Sequence, residues 1–279
     1  MAGQAPNGTP NDHENKNNQD DQPDNESQID GSNSSRLSPL RDAAQIKHLL
    51  ACGAISEAYG MLRWSSNHTF LVGVADGDET LQAVYKPQRG ERPLWDFPDG
   101  TLCYRETAAY LVSEALSWQL VPPTVLRDGP RGVGSLQYYV QNNPEVNYFS
   151  FEERHAAQLM ALAAFDYVIN NADRKGGHCL LDSDEHLWAI DHGIAFHSMP
   201  KLRTVVWDFA GQRVPEPLVA DLQRFCAALE DTQSRLRFDL DKLLAESEIA
   251  ALMARTRRLL SRREYPRPGP GPNYPWPPV

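Results

Sequence analysis

Four short stretches carry the side chains able to do chemistry, and their order narrows what that chemistry is. AVYK ends a strand-like run at Lys86. Glu106 sits near the start of a long helix-like run. NNADRKGGH holds Asp173 and His178, and AIDHG ends a strand-like run at Asp191. A lysine on a strand is held rigidly and can neutralise the α- and β-phosphates of a nucleotide. A helix glutamate can pair with that lysine and fix its rotamer; Glu114, two turns on, is the substitute. Asp173, on a loop, can orient an acceptor hydroxyl or take its proton. His178, five residues later, can reach a metal or the phosphates. Asp191 offers the oxygens a hard cation such as Mg²⁺ prefers, and the nearby Gly193 can supply unusual backbone angles. The order Lys, Glu, Asp, Asp is what ATP-dependent phosphoryl transfer needs on a two-lobed scaffold.

The ordinary readings stand beside these. Glu106 can serve only the helix dipole, Asp173 can cap a turn, and His178 can be a hydrogen-bonded loop histidine. His186, His192 and His197 beside Asp191 match no familiar zinc spacing. A metal-dependent phosphohydrolase using Asp173, His178, Asp191 and His192 is a third chemistry, one that does not need Lys86.

The pattern around these residues predicts the elements that position them. RDAAQIKHLLACG reads as a helix capped by Asp42, with Ile46, Leu49 and Leu50 on one face. Thr69 to Ala75 and Leu81 to Lys86 read as strands joined by a hairpin at Asp76-Gly77-Asp78-Glu79. After the proline-bearing loop PQRGERPLWDFPDG, Tyr104 to Leu120 reads as a helix and Ser135 to Gln141 as a strand. HAAQLMALAAFDYVIN is apolar almost all round, as a buried helix is. Short strands at Cys179 to Leu181 and Leu187 to Ile190 follow, then helices at Glu216 to Leu229 and Leu240 to Arg263. A sheet-rich lobe followed by a helical lobe implies a cleft between them, a favoured place for a small-molecule site.

Composition removes other classes. Of the 279 residues, 27 are Lys or Arg and 37 Asp or Glu, a net charge of −10. Clustered phosphate contacts, and so a nucleic-acid partner, are not expected. No run of apolar residues is long enough to span a bilayer, and the N-terminus has no signal-peptide pattern. Cys52, Cys103, Cys179 and Cys226 are widely spaced, without a CxxC pair; a reducing, cytoplasmic setting is expected. Residues 1–36 are polar and acidic and read as disordered. Residues 37–264 form the expected catalytic domain, split near 142 into N- and C-lobes. In the 265–279 tail, Pro266 to Val279 has seven prolines in fourteen residues, an extended segment that either docks on a partner's aromatic groove or stays solvated.

NNADRKGGHCLLD followed by LWAIDHGIAF resembles the catalytic and metal-binding loops of the phosphatidylinositol 3-/4-kinase superfamily, with the closest likeness to type II phosphatidylinositol 4-kinases and their bacterial relatives. AVYKP resembles the strand with the ATP-binding lysine, and YRETAAYLVSEALSWQLVPPT the helix that supplies its glutamate. The resemblance implies an α+β, two-lobed, protein-kinase-like fold. It implies ATP with Mg²⁺ or Mn²⁺, with Lys86 and Asp173 catalytic and Asp191 the principal metal ligand. SSNHTFLV is similar to the family's nucleotide-covering loop, placing Ser65, Ser66, Asn67 and Thr69 over the phosphates. GSLQYYVQ resembles the strand into the hinge, placing Gln137, Tyr138, Tyr139, Val140 and Gln141 beside the adenine. Two features depart from the family. His178 stands where it usually has a metal-binding asparagine, and the cysteine cluster of the type II lipid kinases is absent. The acceptor is expected to be a lipid headgroup or a protein hydroxyl. The alternative function is a catalytically inactive, nucleotide-binding regulatory module.

Overall fold

The computed structural model describes residues 43–61 and 68–279. Ser65, Ser66, Asn67, Asp42 and the 1–36 tail, on which sequence expectations fall, lie outside the described residues. The chain builds an α+β fold in two parts. In the first, five antiparallel strands form one sheet in the order β1 (Ala54–Met61), β2 (Phe70–Asp76), β3 (Glu79–Pro87), β5 (Gly132–Tyr138), β4 (Thr124–Gly129). The second holds helices α3 (Ala156–Ile169), α4 (Glu216–Glu230), α5 (Arg235–Leu240) and α6 (Glu246–Arg262) and a small hairpin of β6 (Cys179–Leu181) and β7 (Leu187–Ala189), with α3 against β7. No described helix is long and apolar enough to cross a membrane, and all four cysteines are free thiols.

The period-2 pattern of the strands decides which way Lys86 points. Leu81, Ala83 and Tyr85 of β3 face one side, where they pack with Phe70, Val72, Val74 and Leu136 under helix α1 (Ala43–Cys52), which adds Ile46, Leu49 and Leu50. Val84 and Lys86 therefore face the opposite side. The register pairs Val84 with Leu71 and Gln137, and Lys86 with Ser135. Lys86 thus projects from the end of the central strand, beside Ser135 of β5.

Helix α2 (Leu102–Leu116) follows β3, yet its apolar residues Ala108, Ala109, Tyr110, Val112 and Leu116 belong to the large core shared with α3, α4 and α6. It starts two residues before the expected Tyr104 and stops four before the expected Leu120, because Ser117 adopts a left-handed φ of 59° and its N–H closes onto Glu114. Its first N–H groups are capped from outside: Glu91 accepts from Leu102 N–H (3.0 Å) and Cys103 N–H (2.8 Å). Strands β1 and β4 escaped the sequence pattern. The helix expected over 240–263 begins only at Glu246, because the chain turns at 241–245 after the separate short helix α5 ends at Leu240.

Candidate active site

Lys86 Nζ hydrogen-bonds Glu106 Oε1 and lies 2.9 Å from Asp191 Oδ1. Glu106, not Glu114, is thus the lysine's helix partner. Its second oxygen accepts the N–H of His192 at 3.0 Å, so one carboxylate joins the sheet, α2 and the loop after β7. The neighbouring Arg105 is buried and fixes the rotation of α2: Nη1 donates to Ala195 O at 2.7 Å and Nη2 to Glu248 on α6 at 2.6 Å.

The electrostatics of this cluster is two carboxylates around one ammonium. Burial works to lower the Lys86 pKa, but Asp191 and Glu106 override it and hold it raised. Asp191 is held well below the ordinary carboxylate range, chiefly by Lys86. Burial pushes Glu106 up. Asp191 also sits at φ 61°, a left-handed conformation costing a non-glycine residue about 1–3 kcal/mol. The unusual backbone angle expected of Gly193 therefore falls on Asp191 instead. Hydrogen bonds on both sides hold it there, from Arg174 to Ile190 O (2.8 Å) and from His192 N–H to Glu106.

His178 faces Asp191, with Nε2 3.4 Å from Oδ2. Its Nδ1 lies 3.0 Å from the carbonyl of Asp173 and 3.5 Å from Lys175 N. The shorter contact is to a carbonyl, which only accepts, so Nδ1 carries the proton. Burial lowers the His178 pKa to about 4, leaving the ring neutral near pH 7. Nε2 therefore turns a lone pair toward a carboxylate oxygen, and two acceptors face each other without a proton between them. Together with two carboxylates sharing one ammonium, that donor set suits a divalent cation. Among the described residues no cluster of three or more His, Cys, Asp or Glu forms a metal cage. The other histidines are separately engaged: His186 with Gln119 O, His192 with Arg174, His197 with Met199 N–H.

Asp173 lies on the loop after α3, its N–H donating to Asn171 Oδ1 at 3.0 Å. Burial raises its pKa, opposed by Lys175, whose Nζ lies 3.3 Å from Oδ2. Lys175 was not singled out in the sequence; its place two residues after Asp173 was the available signal.

Beneath the loop lies a buried hub that sequence reasoning missed. Asp166 accepts from Arg174 through Nε (3.2 and 3.1 Å) and Nη2 (3.0 Å), from Asn171 (3.0 Å) and from Thr204 Oγ1 (3.2 Å). Arg174 Nη2 also lies 2.6 Å from His192 Nε2. A guanidinium only donates, so His192 is protonated on Nδ1, an atom without a hydrogen-bond partner among the described residues, beside the Phe165 ring. Full burial keeps His192 neutral and unavailable as a ligand. The signal for the hub was the single Asp in an otherwise apolar helix, since a buried charge must be paired.

On β5, Gln137 is buried and donates to Thr124 Oγ1 at 2.8 Å, while Tyr138 packs toward the α1 side of the sheet. The N–H groups of Tyr138 and Tyr139 bond Pro123 O and Gln82 O. The N–H groups of Val140, which is buried, and of Gln141 make no backbone hydrogen bond among the described residues. Thr69 is buried at the start of β2.

The family model described as phosphatidylinositol 3- and 4-kinase matches residues 101–240, a span holding Glu106, Asp173, His178 and Asp191. Protein Rv2133c of Mycobacterium tuberculosis is 39% identical over 264 residues, covering 82% of this chain and 94% of that one. The chain belongs to the phosphatidylinositol 3- and 4-kinase family. Among solved structures, the Helicobacter pylori proinflammatory kinase CtkA is similar over 77% of this chain and 94% of its own, at 10% identity and a TM-score of 0.46, a likeness that carries no argument about the site. As a kinase-family domain, the chain is a kinase-like phosphotransferase in class, and Lys86, just outside the matched span, is brought to that span's Glu106 and Asp191 by β3.

Proposed function

We propose that this family member transfers the γ-phosphate of ATP to a hydroxyl acceptor. The observation that carries the reading is the convergence of Lys86, Glu106, Asp191 and His178 from four separate elements on one point of the cleft. Lys86, held by Glu106, offsets nucleotide phosphate charge. The N–H groups of Val140 and Gln141, without a backbone hydrogen bond among the described residues, suit the adenine edge. Asp191 and His178 would hold Mg²⁺ or Mn²⁺, which when bound offsets charge on the phosphate oxygens. Asp173 orients the acceptor hydroxyl and takes its proton, a task helped by burial that raises its basicity. Lys175 balances Asp173 and faces the transferring group's negative charge.

The acceptor favoured here is a protein hydroxyl over a multiply phosphorylated lipid headgroup. Of the three bases in the segment after Asp191, Lys201 is bound to Asp96 at 2.6 Å and Arg213 to Glu216 at 3.0 Å, while Arg203 acts on Asp173, a sparser set than a polyanion usually finds. A second reading, a nucleotide-binding module without turnover, is favoured by one feature: an imidazole nitrogen replaces the family's amide oxygen at His178, and it suits Mg²⁺ less well.

The test is transfer of labelled phosphate from ATP, with Mg²⁺ or Mn²⁺, to protein and lipid panels. Asp173→Asn should lower transfer by about 10²-fold or more while ATP binding persists. Equal transfer by that variant would remove Asp173 from the mechanism. Binding without transfer by the intact chain would favour the non-catalytic module.

A further inference from the structure

The proline-rich segment lies against the catalytic loop of its own chain. Prolines lack an N–H but keep their carbonyls as acceptors. Pro278 O accepts the N–H of Gly176 at 2.7 Å, three residues after Asp173 and two before His178. Asn273 O accepts the N–H of Thr204 (3.0 Å) and the indole Nε1–H of Trp207 (3.1 Å). The Asn273 side chain shapes the segment itself, with Nδ2 donating to Gly269 O (2.6 Å) and Gly271 O (2.9 Å) and Oδ1 accepting from Gly269 N–H (3.2 Å). Pro275 is buried within the segment.

These anchors lead to the site. Arg174 N–H donates to Arg203 O (3.0 Å), Val205 N–H donates to Arg174 O (3.1 Å), and Thr204 Oγ1 reaches Asp166. The segment therefore holds the strand-like stretch 203–205, which holds Arg174, while Pro278 holds Gly176 directly. Phe149 also packs against Gly176, so closely that a Cβ there would come within 2.6 Å of its ring. The loop carrying Asp173 and His178 is thus held at Gly176 by Pro278 and Phe149 together.

We infer that residues 269–279 are a positioning brace for the catalytic loop, an inference resting on the phosphotransfer reading for its effect on turnover. The segment does not plug the site: with it docked, the side chains of Asp173 and Asp191 are 24% and 50% exposed. Its prolines restrict the free chain, so less entropy is lost on docking.

The test compares the full chain with a chain ending at Pro268, which keeps the buried Tyr265, and with Asn273→Ala. Three quantities are read: amide hydrogen exchange at 174–178 and 204–207, ATP affinity, and the rate of phosphate transfer. The brace predicts faster exchange at Gly176 and Thr204 in both variants. It predicts ATP affinity within about threefold of wild type and kcat lower by about tenfold or more, since a small misplacement of a catalytic group is costly. A synthetic peptide of residues 268–279 should restore part of kcat to the shortened chain. Unchanged exchange at Gly176 and Thr204 would overturn the brace. Faster transfer by the shortened chain would overturn it in favour of an inhibitory strap. A full chain that transfers no phosphate would overturn the phosphotransfer reading and the turnover half of the inference with it, while the exchange comparison would still decide the brace.

Discussion

Replacing Asp166 with alanine should destabilise the protein more than the loss of any exposed ion pair. Asp166 and Arg174 both have fully buried side chains, and the aspartate accepts hydrogen bonds from Arg174, Asn171 and Thr204. Burial works to lower the Arg174 pKa and Asp166 overrides it; because a guanidinium is not deprotonated in proteins, the variant keeps a buried charge without the one carboxylate it pairs with among the described residues. Removing one partner of a buried pair costs about 3–5 kcal/mol, against a total stability of about 5–15 kcal/mol for a domain. At this size about 1 kcal/mol moves Tm by about 2–4 °C, so calorimetry should show a drop of roughly 6–20 °C. Asp166→Leu combined with Arg174→Met should be less damaging than Asp166→Ala alone, because no unpaired charge is left buried. The control is Asp239→Ala, whose partner Arg235 is 84% exposed and whose loss should cost about 1 kcal/mol or less. A loss below about 1 kcal/mol for Asp166→Ala would show that Arg174 finds water or another partner, and that the catalytic loop does not rest on this hub.

Lys86→Met should weaken ATP binding by about 10–100-fold, the worth of a charge-assisted contact of about 1.5–3 kcal/mol; unchanged affinity by calorimetry would place the phosphates elsewhere. His178→Asn supplies an amide oxygen facing Asp191 and should raise the ratio of Mg²⁺- to Mn²⁺-supported ATP affinity; an unchanged ratio would remove His178 from the metal site. His178 is also an acid-sensitive point of the fold. Its folded pKa is depressed to about 4 from 6.5, so below pH 6.5 the unfolded chain takes up a proton the folded one refuses. Stability present above pH 6.5 is therefore lost as pH falls, by about 2 kcal/mol from this residue at pH 5. Urea midpoints at pH 7 and pH 5 should show the loss, and His178→Asn should lessen it; identical midpoints for wild type would contradict the burial argument.

Much of the architecture was legible because local pattern and tertiary role agree. The alternation in β2 and β3, the apolar α3 and the amphipathic α4 lie within a residue or two of their expected places. Strand β1 (AISEAYGM) did not announce itself because it mixes small and polar residues, and β4 because TVLRDG is half-covered at the sheet edge. The chemistry-bearing residues were readable because their types are few and their order is distinctive: Lys86, Glu106, His178 and Asp191 do meet. What was not readable depends on distance in sequence. Nothing local says that Asp166 will meet Thr204, that Arg105 will find Glu248, or that Pro278 will close on Gly176. The left-handed backbone of Asp191 was likewise hidden, since the glycine two residues on drew the expectation.

The most direct test of the proposed cleft is calorimetric titration of ATP with Mg²⁺ or Mn²⁺ into wild type and Asp191→Ala. The account predicts binding that needs the metal and is lost in the variant. Absence of binding with either metal, or binding of equal strength in Asp191→Ala, would contradict it.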